Sequence, residues 1–311
     1  METIDYAFNL DFVKRLGTAW PRRATVRSDF FEQLANAPLD STAPDYPAYM
    51  VPFWDHPTFA AVSDKTREAV LAWAWIVYNR RTIAAEERVA NPAFALLVAG
   101  RFPCGSEPEV QQQIQHSLID EHFHSLMHMM AIERTKKMRG IDYEIAFPDS
   151  VTYRALQRLQ AQTQDPWERD LQVLVFAIVS EISINAYLEL MARDSTIQPF
   201  HSLITTLHNR DEYAHAALLA EISKPLYGEL NEAQRALFRS YLPVALDAFW
   251  AQDYSAWECI LRHLQVPRYA EMLEDCKRDA SKSKLSRDYS GLEKLVTELG
   301  IKEELNFQFA A

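Results

Sequence analysis

The sequence predicts an all-α protein, a four-helix bundle with additional helices at its N- and C-terminal ends. Three observations lead there. The 311 residues contain only 7 glycines against 15 prolines, too few for the many glycine-dependent turns of an α/β or all-β chain. Two segments each carry a Glu and a His three residues apart, Glu121 with His124 and Glu212 with His215, a spacing that meets on one face only in a helix. A third segment, LQVLVFAIVSEISINAYLELM, is apolar almost all round yet holds Glu181 at its centre.

Composition limits the class further. With 48% hydrophobic residues the chain can bury a large core. It reads as a single domain over 1–311, with a bundle at about 63–223, a strap at 1–62, and C-terminal helices and a tail at 224–311. A net charge of −11 and no block of basic residues argue against nucleic acid or an anionic membrane as partner. Cys104, Cys259 and Cys276 are odd in number and lack Cys-x-x-Cys spacing, so neither a disulfide framework nor a zinc ribbon is expected. The first residues lack a basic and apolar leader, and no apolar run reaches spanning length, so a soluble, cytoplasmic protein is expected.

Taken in order, residues 1–60 read as irregular, with short helical signals at 11–16 and 28–35. A proline-rich stretch follows, whose Tyr46, Tyr49, Phe53 and Trp54 mark a segment strapped over the core. No chemistry is expected there, and His56 reads as a surface or capping residue. Ser63 then caps a long internal helix that should stop or kink near Pro92. Glu86 and Glu87 lie near its end, where carboxylates are usually solvated. A helix at 110–137 carries Glu121 and His124 and ends with basic residues and Gly140. His122 and His128 on it read as exposed or hydrogen-bonded rather than ligating. Helices at 151–162 and 167–192 are separated by Asp165-Pro166. The second must be buried, and an isolated buried carboxylate at Glu181 would cost several kcal/mol or be forced neutral. Metal ligation resolves that conflict. A helix at 199–223, closed by Lys224-Pro225, holds His208, Glu212 and His215 at i, i+4 and i+7, within about 60° of one another at ~100° per residue. Helices at 231–251, 255–263 and 269–277 complete the body, followed by a polar, mobile tail and a last amphipathic piece.

A Glu-x-x-His on each of two helices, with one Glu from each of two more, is how a ferritin-like bundle builds a two-metal carboxylate site. The donor set is Glu121, His124, Glu181, His208, Glu212 and His215, with either Glu86 or Glu87. Carboxylates bridge and neutralise two ions while imidazoles suit iron, and manganese is compatible. Asp120 and Asp211, each directly before a ligand Glu, are placed to accept the ring N–H of the histidine on the opposite helix.

With these residues the chain resembles the di-iron arylamine N-oxygenases, the family of p-aminobenzoate N-oxygenase and of the oxygenase that forms the nitro group of chloramphenicol. His208 carries the resemblance. So do the spacings of 35, 60, 27, 4 and 3 residues along Glu86, Glu121, Glu181, His208, Glu212 and His215, which match the family only if Glu86 is the ligand. The resemblance implies two iron ions, O2 as co-substrate, and oxidation of a primary amine to hydroxylamine and onward to nitroso or nitro. No nucleotide-binding glycine motif is present, so an external electron donor is implied. It also points to Tyr78, Arg81, Asn185 and Tyr187 as the substrate region. An amino-acid-derived amine, as in the diazeniumdiolate subgroup, is expected over a true arylamine. A homodimer is allowed. The competing readings are a di-iron C–H hydroxylase or desaturase and a ferritin-like iron-handling protein.

Overall fold

Helix caps and buried faces set the architecture of the computed structural model, which describes residues 6, 8–285 and 288–309. Asn9 accepts the amide of Phe12 and opens α1 (Leu10–Arg23), which continues through Pro21. It outruns the 11–16 signal because its last turn is held by side chains beneath it, described below. Next come α2 (Phe30–Asn36) and the short α3 (Pro57–Ala60), the latter capped by the His56 ring.

Ser63 accepts the amide of Thr66 and starts α4 (Asp64–Ala85). The helix does not stop at Pro92. The helix instead widens one turn earlier into a π turn (Glu86–Ala90) and runs on as α5 (Asn91–Val98). Pro92 has no N–H to donate, and the wider turn takes up the mismatch its ring creates. Beyond it, α6 (Pro108–Arg139) ends at Gly140 with φ 62°, the left-handed stop that glycine supplies. Ser150 caps α7 (Val151–Gln162) and Asp165 caps α8 (Pro166–Ala192). The next helix, α9 (Pro199–Glu229), passes through Pro225 rather than closing there. Loss of one main-chain bond near its end is offset by burial of Leu226 and Tyr227 just beyond. A reciprocal Asn231–Gln234 capping box opens α10 (Glu232–Trp250). Three shorter helices follow: α11 (Tyr254–His263), α12 (Tyr269–Arg278) and α13 (Ser290–Glu298).

The bundle is α4 with its π turn, α6, α8 and α9: α8 lies along α9, α4 along α6, and α6 against α9. Around it, α1 packs on α6 and α9, while α10 and α13 pack on α8. Buried apolar residues from all of these join in one cluster. By length and apolarity α8 would cross a membrane, but 78% of its apolar window is buried inside the protein, so it is the core helix. Among the described residues there is no strand, only an isolated bridge between Ala251 and Lys284. That bridge, with Tyr254 Oη donating to the Lys282 carbonyl and Lys284 to Asp247, pins the first half of the tail expected to be mobile. Residues 286–287 of that tail lie outside the described residues.

Candidate metal centre

At the middle of the bundle the structure brings together Glu86 from the π turn, Glu121 and His124 from α6, Glu181 from α8, and His208, Glu212 and His215 from α9. All seven are buried. Ligand atoms of Glu86, His124, His208 and Glu212 lie within 4.8 Å of one another, as do those of Glu121, His124, Glu212 and His215, and those of Glu86, Glu121 and Glu181. The π turn places the two candidate glutamates differently. Glu86 is 3% exposed, whereas Glu87 is exposed beside His122, 3.5 Å away.

The two Glu-x-x-His histidines present Nδ1 to the cluster and Nε2 to an aspartate. His124 Nδ1 lies 3.2 Å from Glu212 and 3.4 Å from Glu121, and its Nε2 is 3.2 Å from Asp211. His215 Nδ1 lies 2.6 Å from Glu121 and 3.3 Å from Glu212, and its Nε2 is 3.3 Å from Asp120. Each aspartate thus stands behind the histidine of the other helix. Asp120→Asn and Asp211→Asn should fold and bind metal, with affinity or activity reduced roughly 10–100-fold. Wild-type metal titrations and rates in both variants would reduce these carboxylates to packing.

His208 is oriented differently, by a chain of neutral groups. The Trp75 carbonyl can only accept, and Asn79 Nδ2 donates to it at 2.7 Å. That turns Asn79 Oδ1 toward His128 Nδ1, 2.7 Å away, which must therefore carry its proton. Burial, then the nearby His208 and His124, hold His128 well below the usual histidine range, so its Nε2 keeps a lone pair and accepts from His208 Nδ1 at 2.8 Å. His208 Nε2 is left with its lone pair aimed at Glu212, 3.0 Å away, and Glu86, 3.4 Å away. Two electron-pair donors facing each other suit a cation between them. His128 thus acts through His208 rather than as a ligand.

The N-terminal strap, where no chemistry was expected, closes the centre from behind. Trp20 Nε1 donates to both Asp120 oxygens at 3.0 Å. Arg23 is 3.0 Å from Asp211 and 3.7 Å from Asp120, and the Thr25 amide donates to Asp211 at 3.0 Å. No short-range sequence signal marks these residues, which reach carboxylates 97 to 188 positions away.

The electrostatics test the fit to metal. Left to themselves, four carboxylates this close cannot all ionise. Burial, then the charge of Glu121, pushes Glu86 and Glu181 well above the usual carboxylate range. Burial would raise Glu212 too, but the His215 charge, then a hydrogen bond from His124, hold it well below. Burial would likewise lower His124 and His215, but the carboxylates around each hold both well above the usual range. These directions favour the protonated forms of Glu86, Glu181, His124 and His215. Metal binding at such a site displaces protons, and divalent ions can take over the positive charge the protons carried. Glu121 Oε1, Glu181 Oε2, Glu212 Oε2 and His215 Nδ1 are buried without a hydrogen-bond partner, although His215 and Glu121 approach closely. They belong to the side chains whose ligand atoms lie within 4.8 Å of one another in overlapping groups, and the residues fit a pair of metal ions.

Beside the centre lies a cavity of about 220 Å³, lined among others by Tyr46, Tyr78, Arg81, Arg88, Tyr187 and Trp257. Tyr78 forms its inner wall, its ring 6.1 Å from that of His128 and its hydroxyl buried without a partner. Arg81 donates to the carbonyls of Phe249 and Ala251 at the end of α10. Asn185, expected in the same region, is not among the cavity-lining residues and donates to Asn209.

Comparison with known proteins agrees with this geometry. The family model described as p-aminobenzoate N-oxygenase AurF matches residues 9–300. A 4-aminobenzoate N-oxygenase of Streptomyces thioluteus is 44% identical over 297 residues, covering 95% of this chain and 88% of that protein. The chain therefore belongs to the p-aminobenzoate N-oxygenase family and is an N-oxygenase, an oxidoreductase of the oxygenase type.

Proposed function

We propose that Glu86, Glu121, His124, Glu181, His208, Glu212 and His215 hold two iron ions, and that the enzyme uses O2 there to oxidise the amino group of an arylamine carrying an acid group. The convergence of four carboxylates and three imidazoles in one buried centre carries this reading. When bound, the metal pair would supply the activation of O2. The protein's share is to bind the ions through groups held by Asp120, Asp211 and His128, to keep water out with the surrounding core, and to present the amine from the adjoining cavity. The first oxidation converts RNH2, O2, two electrons and two protons to RNHOH and water, and further rounds lead to nitroso and nitro products.

The cavity supports the substrate class. An apolar cavity of about 150 Å³ holds benzene, so about 220 Å³ takes a substituted ring. Among the described residues Arg81 forms no ion pair with a carboxylate, and it is fixed by main-chain carbonyls, which leaves its charge for an acid group. The named relative acts on 4-aminobenzoate, an arylamine acid, and that favours an arylamine over the amino-acid-derived amine expected from the sequence.

Iron-loaded protein given 4-aminobenzoate, O2 and a chemical reductant should yield N-oxidised products by mass spectrometry. Their absence, with unchanged 4-aminobenzoate recovered, would remove the substrate proposal. Arg81→Gln should raise KM for 4-aminobenzoate by about tenfold or more, because a hydrogen bond to a charged group is worth about 1.5–3 kcal/mol. Aniline, which has no carboxylate, should be little affected. Equal losses for both substrates would make Arg81 a structural residue.

A further inference from the structure

The proposed reaction consumes electrons that this chain has no group to supply, and one hydrogen-bonded line leads from the surface to the centre. His215 Nδ1 faces the cluster, and its Nε2 meets Asp120 at 3.3 Å. Asp120, fully buried, accepts from Trp20 Nε1 at 3.0 Å. The Trp20 indole lies flat on His116, ring centroids 4.2 Å apart and planes 4° apart, and both rings are half-buried at the protein surface. Two hydrogen bonds therefore join a surface aromatic pair to a side chain of the centre.

The segment that delivers Trp20 is charged against the trend of the molecule. Residues 10–27 hold Lys14, Arg15, Arg22, Arg23 and Arg27 with Asp11 as their sole acid, in a chain of net charge −11. Lys14, Arg15, Arg22 and Arg27 are exposed. Lys14 lies 3.4 Å from Glu109, while Arg22 and Arg27 form no ion pair among the described residues. The net charge of −11 works against an acidic protein in general, so a basic stripe that leads to the centre favours where such a protein lands.

We infer that the α1 face around Trp20 docks an acidic one-electron carrier protein and that Trp20, Asp120 and His215 conduct its electrons to the centre. The inference rests on the N-oxygenase reading proposed above. Two carrier encounters deliver the two electrons of each amine oxidation, and one proton from solvent accompanies each. No bond in Trp20, Asp120 or His215 breaks, and the indole is a bridge rather than a redox intermediate. The carrier is reoxidised by one electron per encounter.

The test uses the full-length, iron-loaded, oxidised protein, mixed anaerobically in a stopped-flow instrument with reduced plant-type [2Fe–2S] ferredoxin. Reduced methyl viologen, a small cation that the basic stripe does not attract, is the control. Trp20→Phe keeps a ring on His116 but loses the N–H, and should lower the ratio of ferredoxin-driven to viologen-driven rates severalfold with iron content unchanged. Arg22→Glu with Arg27→Glu should slow ferredoxin-driven reduction by about tenfold at low ionic strength, a difference that closes near about 1 M salt. Should Trp20→Phe lose iron, the charge-reversal variant decides alone. Equal slowing with both reductants, or ferredoxin rates unchanged in the charge-reversal variant, would overturn the inference. A wild type that ferredoxin reduces rapidly but that N-oxidises no arylamine would refute the proposed substrate and leave the electron route standing.

Discussion

Glu212→Ala is expected to empty the centre, with bound iron falling well below the about two per chain that a bundle of this design holds and amine oxidation lost with it. Glu212 is the carboxylate common to all three histidines, its Oε1 lying 3.0 Å from His208, 3.2 Å from His124 and 3.3 Å from His215. Its removal would take away the carboxylate that all three histidines share and leave His124 and His215 with one buried negative partner fewer. The same metal analysis separates the neighbouring glutamates: Glu86→Ala should lose iron, while the exposed Glu87→Ala should keep it. Full iron in Glu212→Ala, with circular dichroism showing a folded bundle, would refute the ligand set. Loss of iron from Glu87→Ala but not from Glu86→Ala would reassign the ligand to the other side of the π turn.

His208→Ala is expected to behave differently: folded, still near about two irons per chain, yet unable to oxidise amines. Glu212 and His215 already complete the Glu-x-x-His unit of α9, so His208 adds donation to a site that can assemble without it. Truncation also leaves His128 Nε2, which accepts from His208 at 2.8 Å, buried without its partner, a cost of about 1–3 kcal/mol. A lowered melting temperature with near-full metal content should therefore accompany the lost activity. Amine oxidation at the wild-type rate in this variant would make His208 a core histidine on a ligand helix and would detach N-oxidation from the seventh ligand.

How much of this was legible in the sequence varies from residue to residue. The periodicity of a helix is local, so Glu121 with His124, and His208 with Glu212 and His215, could be placed on common faces from spacing alone. Glu181 was legible by a different rule, since a carboxylate in a helix that is apolar all round has to be compensated. Helical spacing could not separate Glu86 from Glu87, because the backbone there is a π turn that changes the register, and only the resemblance to the N-oxygenases made the choice. Pro92 and Pro225 misled for a related reason: a ring that ends an isolated helix is tolerated where a wider turn or buried neighbours make up the lost bond.

What the sequence determined by itself is the all-α class, the helices and the donor types on each inward face, all consequences of interactions within a few residues. The tertiary structure alone decided that Trp20, Arg23 and Thr25 stand behind Asp120 and Asp211, that Asn79 and His128 fix the free nitrogen of His208, and that Asn185 turns to Asn209 instead of the cavity. Those contacts join residues 24 to 188 positions apart, and their partners are chosen by how whole helices pack, which no local pattern encodes.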